Sequence, residues 1–244
     1  MNQQICKNCE LETSGNYCNS CGQRTSVNKV TFKETFQDFI DVIFSVNAPL
    51  FLTLKLLIVN PGELFRNYLS GKRKTYYKPV PFFILTTIVF ILIRVIMRYD
   101  PTANLVQVGG TSLNENLINQ AGVFMTENIN NIIFIFVFSF AVFVKLFFYK
   151  RYSFAEYIAV SFYVIGFYLV ITTVLIFGLK YAKPQLRMLP ILLVFFYMIY
   201  ALTSFFKKIS IGVILKILGV YFFSLLFYMM FGYGTSYLIV WLKS

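Results

Sequence analysis

The chain has 244 residues, 58% of them hydrophobic and only 13% charged, about half the charged share of a soluble domain, which excludes a water-soluble globular protein of this length. It carries 22 basic against 10 acidic residues, a formal net charge of +12, and no histidine. The missing histidine removes Ser-His and Cys-His catalysis and every histidine metal site, and the basic residues cluster beside apolar runs, which points to anionic lipid rather than nucleic acid.

All four cysteines fall within the first 21 residues, as Cys6-x2-Cys9-x8-Cys18-x2-Cys21. Two C-x-x-C turns that each offer two thiolates can complete one tetrahedral site. Zinc, as one structural ion, is the default, with a rubredoxin-like single iron as the rival for the same geometry. Two disulfides are the alternative. No apolar signal segment opens the chain, so a reducing compartment, in which thiols bind metal, is expected. Gly22 suits the turn after the second pair, because glycine tolerates positive φ. Four thiolates close the coordination shell and leave no position for a reacting water.

Residues 1–30 therefore read as a small zinc ribbon. Thr31 then opens an amphipathic helix, with Phe32, Phe36, Phe39, Ile40, Ile43 and Phe44 on one face. Leu50 to Val59 is apolar but too short to cross a bilayer, which takes about 20 residues, so it reads as interfacial or re-entrant. Pro61-Gly62 ends it, and a short helix follows to Gly71. Residues 31–78 thus form an amphipathic and interfacial region that closes on a basic juxtamembrane hinge. Lys72, Arg73, Lys74 and Lys78, with Tyr76 and Tyr77, have the composition of a membrane-interface anchor.

Residues 79–244 read as the transmembrane domain of an all-α polytopic membrane protein with about five transmembrane helices, near 80–98, 129–149, 157–179, 188–206 and 211–241. Pro79 and Pro81 sit in the first turn of the first span, where their missing N–H groups do least harm. Arg94 and Arg98 lie near its far end, where they either snorkel or mark a polar path. Tyr99 to Asn128 reads as a polar loop. The last segment is too long for one ordinary span; it tilts, enters through a turn near Lys216, or breaks near Gly232 and Gly234. With the hinge in the cytoplasm, Lys150-Arg151 and Lys207-Lys208 also fall inside. Lys180, Lys183 and Arg187 fall outside, against the rule. The expected location is a bacterial inner (cytoplasmic) membrane, with the N-terminus cytoplasmic and the C-terminus outside.

Catalysis finds no constellation in these residues. Glu156 is the one acidic residue at a span edge, and no phosphate-binding glycine motif occurs. The chain reads as a non-enzymatic protein whose cytoplasmic ribbon docks a protein partner or scaffolds at the membrane. Anionic membrane lipids are expected partners and nucleic acid is not; a homo-oligomer is compatible. One alternative is a permease or lipid-handling protein for an anionic substrate, with Arg94 and Arg98 joined by Lys180, Lys183 and Arg187. Another is a zinc–thiolate redox sensor.

The Cys21-Gly22-Gln23 end of the ribbon, the Pro61-Gly62 turn and the series Tyr68, Gly71, Arg73, Tyr77, Pro79 together resemble a bacterial family of zinc-ribbon integral membrane proteins whose conserved domain has no assigned function. The resemblance covers roughly the first 95 residues. It implies membrane location and zinc, and offers no reaction. Glu10 departs from the pattern, since a glycine commonly follows the second cysteine. That departure bears on the tightness of the turn and not on the number of ligands.

Overall fold

A computed structural model describes residues 4–25, 50–98, 113–179 and 189–243. The amphipathic helix expected from Thr31, the first part of the 99–128 loop, and Lys180, Lys183 and Arg187 lie outside the described residues.

The ribbon is two knuckles joined by a minimal sheet. Strand β1 (Gln4–Ile5) pairs antiparallel with β2 (Glu12–Thr13), Gln4 opposite Thr13. A single bridge joins Tyr17 to Arg24.

Helices α1 (Leu50–Val59) and α2 (Pro61–Ser70) form a hairpin that turns at Asn60. Pro61 starts α2, where its missing N–H costs nothing. The Asn60 side chain accepts the Glu63 N–H at 3.3 Å. Gly71 closes α2 with φ 117°, a left-handed value open to glycine. Phe65 from α2 stacks on Tyr163 at 6.0 Å and meets Phe205 edge-on at 5.7 Å. The hairpin is therefore wedged between the helices that carry those two rings, α6 (Phe154–Leu179) and α7 (Leu189–Phe206).

After the hinge, α3 (Pro79–Ile96) packs along α6. Gly166 makes the close approach possible: a Cβ there would lie 2.8 Å from the Phe82 ring and 3.3 Å from the Phe83 backbone. Helix α5 (Ile129–Phe147) packs on both α6 and α8 (Ile211–Lys243).

Three of these helices are long and apolar enough to cross a membrane, Pro79–Ile96, Phe154–Gly178 and Ile211–Lys243. The most apolar stretch of α6 is 61% buried, whereas those of α3 and α8 are 28% buried. So α6 is the central helix, while α3 and α8 turn apolar faces outward, among them Ile88, Leu92, Phe222 and Met230. Apolar exposure on that scale marks a surface that meets something other than water. The remaining expected spans are also helical, over Ile129–Phe147 and Leu189–Phe206; their fully described apolar stretches are shorter, Ile133–Phe147 and Leu192–Phe206.

One expectation needs correction, and one set of alternatives narrows to a single unbroken helix. Leu113–Glu127, read as part of a polar loop, is a helix, α4. It buries Ala121 and Met125, and its Ile118 carbonyl accepts the Tyr233 hydroxyl of α8 at 2.9 Å. Leu117, Ala121 and Met125 recur every fourth residue, a stripe too narrow to outweigh the Asn, Gln and Glu around it. The last segment does not break at Gly232 or Gly234. Helix α8 runs unbroken for 33 residues, about 50 Å at 1.5 Å per residue, so it can cross at most once. The hydroxyls of Thr235 and Ser236 bond back to Phe231 and Gly232 within the same helix, at 2.9 and 2.7 Å.

Candidate metal centre and its seat on the hinge

The four cysteine sulfurs lie within 4.8 Å of one another. Cys6 Sγ is 3.6 Å from Cys21 Sγ, and Cys9 Sγ is 3.6 Å from Cys18 Sγ. A disulfide would bring two sulfurs to about 2.05 Å, so the four are free thiols. Tetrahedral coordination at about 2.3 Å places sulfurs about 3.8 Å apart, and the observed separations match it. Each pair draws one sulfur from each knuckle, so one ion on the cluster locks both turns together.

The two knuckles repeat the same backbone bonds. Glu10 N–H donates to Cys6 O at 2.9 Å, and Gly22 N–H donates to Cys18 O at 2.8 Å. Cys6 N–H donates to Leu11 O at 2.9 Å, and Cys18 N–H to Gln23 O at 2.7 Å. Glu10 adopts φ 63° where Gly22 adopts 66°. The residue that departs from the usual glycine therefore leaves the turn just as tight, and carries a left-handed strain of about 1–2 kcal/mol.

Backbone geometry also tunes the thiols. The N–H of Cys21, helped by that of Ser20, pulls the Cys18 thiol down to about 6. Cys9 is pushed up to about 12: the Leu11 N–H lowers it, but desolvation and the neighbouring thiols of Cys18, Cys6 and Cys21 outweigh that pull. Four thiols at this spacing cannot all ionise alone at neutral pH, and a divalent cation resolves the conflict by taking all four as thiolates. The donor set and the spacing thus fit a metal ion.

The ribbon does not hang free of the helices. Gln23, 3% exposed, directs its side-chain amide at the hinge backbone. Its Nε2 donates to Gly71 O, and its Oε1 accepts the Lys74 N–H at 3.3 Å. From the other knuckle, Asn8 Oδ1 accepts the Thr75 hydroxyl. Lys72 Nζ lies 3.2 Å from Glu10 Oε1. Both knuckles therefore grip the same five-residue turn, 71–75.

The structure places the hinge residues in different surroundings. Lys74 is exposed, Lys72, Arg73 and Lys78 are half-buried, and Tyr76 is buried. The Tyr76 hydroxyl accepts from Asn67 Nδ2 at 3.0 Å. Tyr77 N–H donates to Thr53 Oγ1 at 2.9 Å, and Tyr77 O accepts the Tyr163 hydroxyl. Arg94 is half-buried on the last turn of α3, and Arg98, just beyond it, is exposed with φ 47°.

The hairpin that carries the hinge is bonded just as specifically, through Gly62 of the expected turn and through Asn60, Arg66 and Ser204, which the sequence does not single out. Gly62 touches the backbone of Ser204, and a Cβ there would lie 2.2 Å from Ser204 C. Its N–H donates to Ser204 Oγ at 3.2 Å, and Ser204 donates on to Asn60 Oδ1 at 2.9 Å. Arg66 Nη1 donates to Ser204 O and Phe205 O, and Arg151 Nη1 to Phe206 O. Two guanidiniums thus satisfy the last carbonyls of α7, which face away from their own helix bonds. At the hairpin tip, Tyr197 and Tyr200 donate to the final carbonyls of α1. The charged residues that could have served chemistry have structural tasks. Lys145 Nζ donates to the Tyr149 and Tyr152 carbonyls at 2.7 and 2.8 Å. Glu156 accepts the Ser153 N–H at 2.6 Å and donates its own N–H to Ser153 Oγ at 3.3 Å, a capping box at the start of α6.

A family model described as "Protein of unknown function (DUF3667)" matches residues 48–91. That segment comprises the α1–α2 hairpin, the hinge and most of α3; the four-cysteine ribbon lies outside it. No curated protein and no solved structure matches the chain.

Proposed function

We propose that the chain is a five-span integral membrane protein of a bacterial inner membrane, whose zinc ribbon sits on the cytoplasmic side and docks a protein partner without catalysing a reaction. The observation that carries this reading is the seat. Gln23, Asn8 and Glu10 clamp the ribbon to residues 71–75, while Ile5, Leu11 and Tyr17 stay 69%, 53% and 58% exposed. A rigidly held unit with exposed apolar side chains is arranged to present a surface. Zinc in a closed four-thiolate shell supplies rigidity and no open coordination position.

Orientation follows from charge. The Phe148–Phe206 stack at 4.2 Å ties the end of α5 to the end of α7. Lys150, Arg151, Lys207 and Lys208 therefore gather at one end of the bundle. The hairpin, through Arg66 and Gly62, reaches that same end of α7, which supports placing ribbon, hinge and basic loops on the cytoplasmic face. The α1–α2 hairpin is then an interfacial element at that end of the bundle, and the final carbonyls of α1 accept the Tyr197 and Tyr200 hydroxyls.

The test is site-specific photocrosslinking of the full-length protein in its native membrane. A probe at Leu11 or Tyr17 is expected to give a discrete adduct. That adduct should be missing with the probe at Lys55 and with Cys6→Ser. Equal adducts at all three positions, or an adduct indifferent to Cys6→Ser, would refute ribbon docking.

A further inference from the structure

A second site lies at the ribbon end of the bundle, away from the cysteines. The turn between α5 and α6 and the turn between α7 and α8 line an open pocket of about 460 Å³, within the usual range for small-ligand sites. Lys150, Arg151, Lys208 and Lys216 line it, and among the described residues no acidic side chain does. Three of these cations lie over aromatic rings, Lys150 Nζ at 5.4 Å from the Tyr149 ring centre. Arg151 lies 5.3 Å from the Phe206 ring centre and is fixed by its bond to Phe206 O; Lys216 Nζ lies 5.8 Å from the Phe148 ring centre.

A further feature of the same cavity points to the same ligand charge. Ser210, Gly212 and Val213, the first turn of α8, form part of the wall. Ser210 caps that turn, accepting the Val213 N–H through its carbonyl at 3.0 Å. The positive end of a 33-residue helix therefore faces the cavity. Four like charges and a helix N-terminus around one space repel one another until an anion enters.

We propose that this cavity binds a phosphate group, carried by a lipid headgroup or free in the aqueous phase. The surroundings favour the lipid source. Leu146 on α5 and Leu215 on α8, next in sequence to the lining residues Phe147 and Lys216, are 61% and 60% exposed, which gives an acyl chain apolar surface near a headgroup that meets the cations. The lipid source rests on the membrane reading above; the phosphate chemistry does not.

The experiment uses the purified full-length chain in neutral detergent, with thermal unfolding followed against phosphatidylglycerol, phosphatidylcholine and inorganic phosphate. Saturable stabilisation by phosphatidylglycerol but not phosphatidylcholine is expected, and K150Q/K208Q should weaken it about 30-fold, at about tenfold per 1.4 kcal/mol and about 1 kcal/mol per cation. K55Q/K243Q, which removes the same charge at two residues outside the cavity lining, should weaken it less than about threefold. Saturation by inorganic phosphate with the same dependence on Lys150 and Lys208 would assign the site to a free phosphate. Equal stabilisation by both lipids with no phosphate effect, or equal losses in the two double variants, overturns the proposal. K208Q alone, expected to weaken binding about fivefold, tests the site should the double variant not fold. Release of the chain from membranes by alkaline carbonate would overturn the membrane reading and leave the phosphate site standing.

Discussion

Removing the Gln23 amide should undock the ribbon without unfolding it. In Gln23→Ala the bonds to Gly71 O and Lys74 N–H vanish. Gly71 O retains the Arg73 N–H at 2.8 Å, so its loss is confined to one bond. The Lys74 N–H loses its acceptor beside a buried glycine. Two neutral bonds at about 1 kcal/mol each, plus part of a desolvation cost of about 1–3 kcal/mol, give roughly 2–3 kcal/mol. That is a rise of about 30- to 150-fold in the undocked population. The exposed Glu10–Lys72 pair, with side chains 74% and 32% exposed, contributes at most about 1 kcal/mol. Glu10→Gln should therefore raise the undocked population only a few-fold. Trypsin reads the difference directly, because the docked ribbon holds the Lys72-Arg73-Lys74 turn in a fixed conformation, and cleavage tracks the open population when opening is fast. Metal content serves as the control and should not change in either variant. If Gln23→Ala accelerates hinge cleavage no more than Glu10→Gln, the seat is not built on Gln23.

Gly62→Ala should destabilise the whole bundle by about 3–5 kcal/mol, since its Cβ would meet the Ser204 and Phe205 backbone at 2.2–2.5 Å and force apart a junction of several hydrogen bonds. Gly122→Ala is the control: its nearest neighbour is the Tyr233 ring at 4.0 Å, so thermal unfolding should show it neutral or more stable by about 0.5–1 kcal/mol; equal midpoints for the two would contradict the packing. Glu10→Gly should be more stable than Glu10→Ala by about 1 kcal/mol, because both lose the carboxylate and only glycine relieves φ 63°; denaturant titration of metal release measures the difference. Acid should strip the metal. The Cys18 thiol, lowered to about 6, contributes stability that is present above the ordinary value of 9.0 and lost as pH falls through about 6. Cys9, raised to about 12, prefers its proton at neutral pH and gives it up to the metal. A chromophoric chelator should therefore remove the ion faster below about pH 6 than near neutrality, and hinge cleavage by trypsin should rise with it; release that quickens as pH rises would reverse the sign.

The elements legible in the sequence were those with a local cause. The C-x2-C spacing brought the four thiols into one cluster without any knowledge of the fold. The long apolar runs marked the helices to within a few residues, because an apolar stretch of that length has few other ways to satisfy its backbone. Helix α4 escaped because its buried stripe is one residue per turn, and its burial is conferred by Tyr233 and Lys243, more than a hundred residues away. Gly62 was legible as part of a turn but not as a contact, since only the approach of Ser204, 142 residues later, shows why a side chain is excluded. Gln23 stood in a recognisable Cys-Gly-Gln end, yet its partner is the backbone of Gly71 and Lys74. A bond to backbone atoms leaves no complementary residue type to find.

That last point changes how the hinge is understood. Read as a sequence, its basic residues have one task, to hold the preceding segment on one side of a membrane. In the structure the ribbon recognises the turn by its backbone geometry: Gly71 O and Lys74 N–H meet the Gln23 amide, and the left-handed Gly71 sets the turn that presents them. Such recognition makes little use of the side chains of residues 72–74, and Lys74 stays exposed. The same five residues can therefore seat the ribbon through their backbone and face anionic headgroups through their charge. The two tasks separate by mutation. Lys74→Gln should leave hinge cleavage after Arg73 unchanged while reducing attraction to anionic lipid by about 1 kcal/mol, whereas Gly71→Ala, forced toward φ 117°, should release the ribbon with every charge in place.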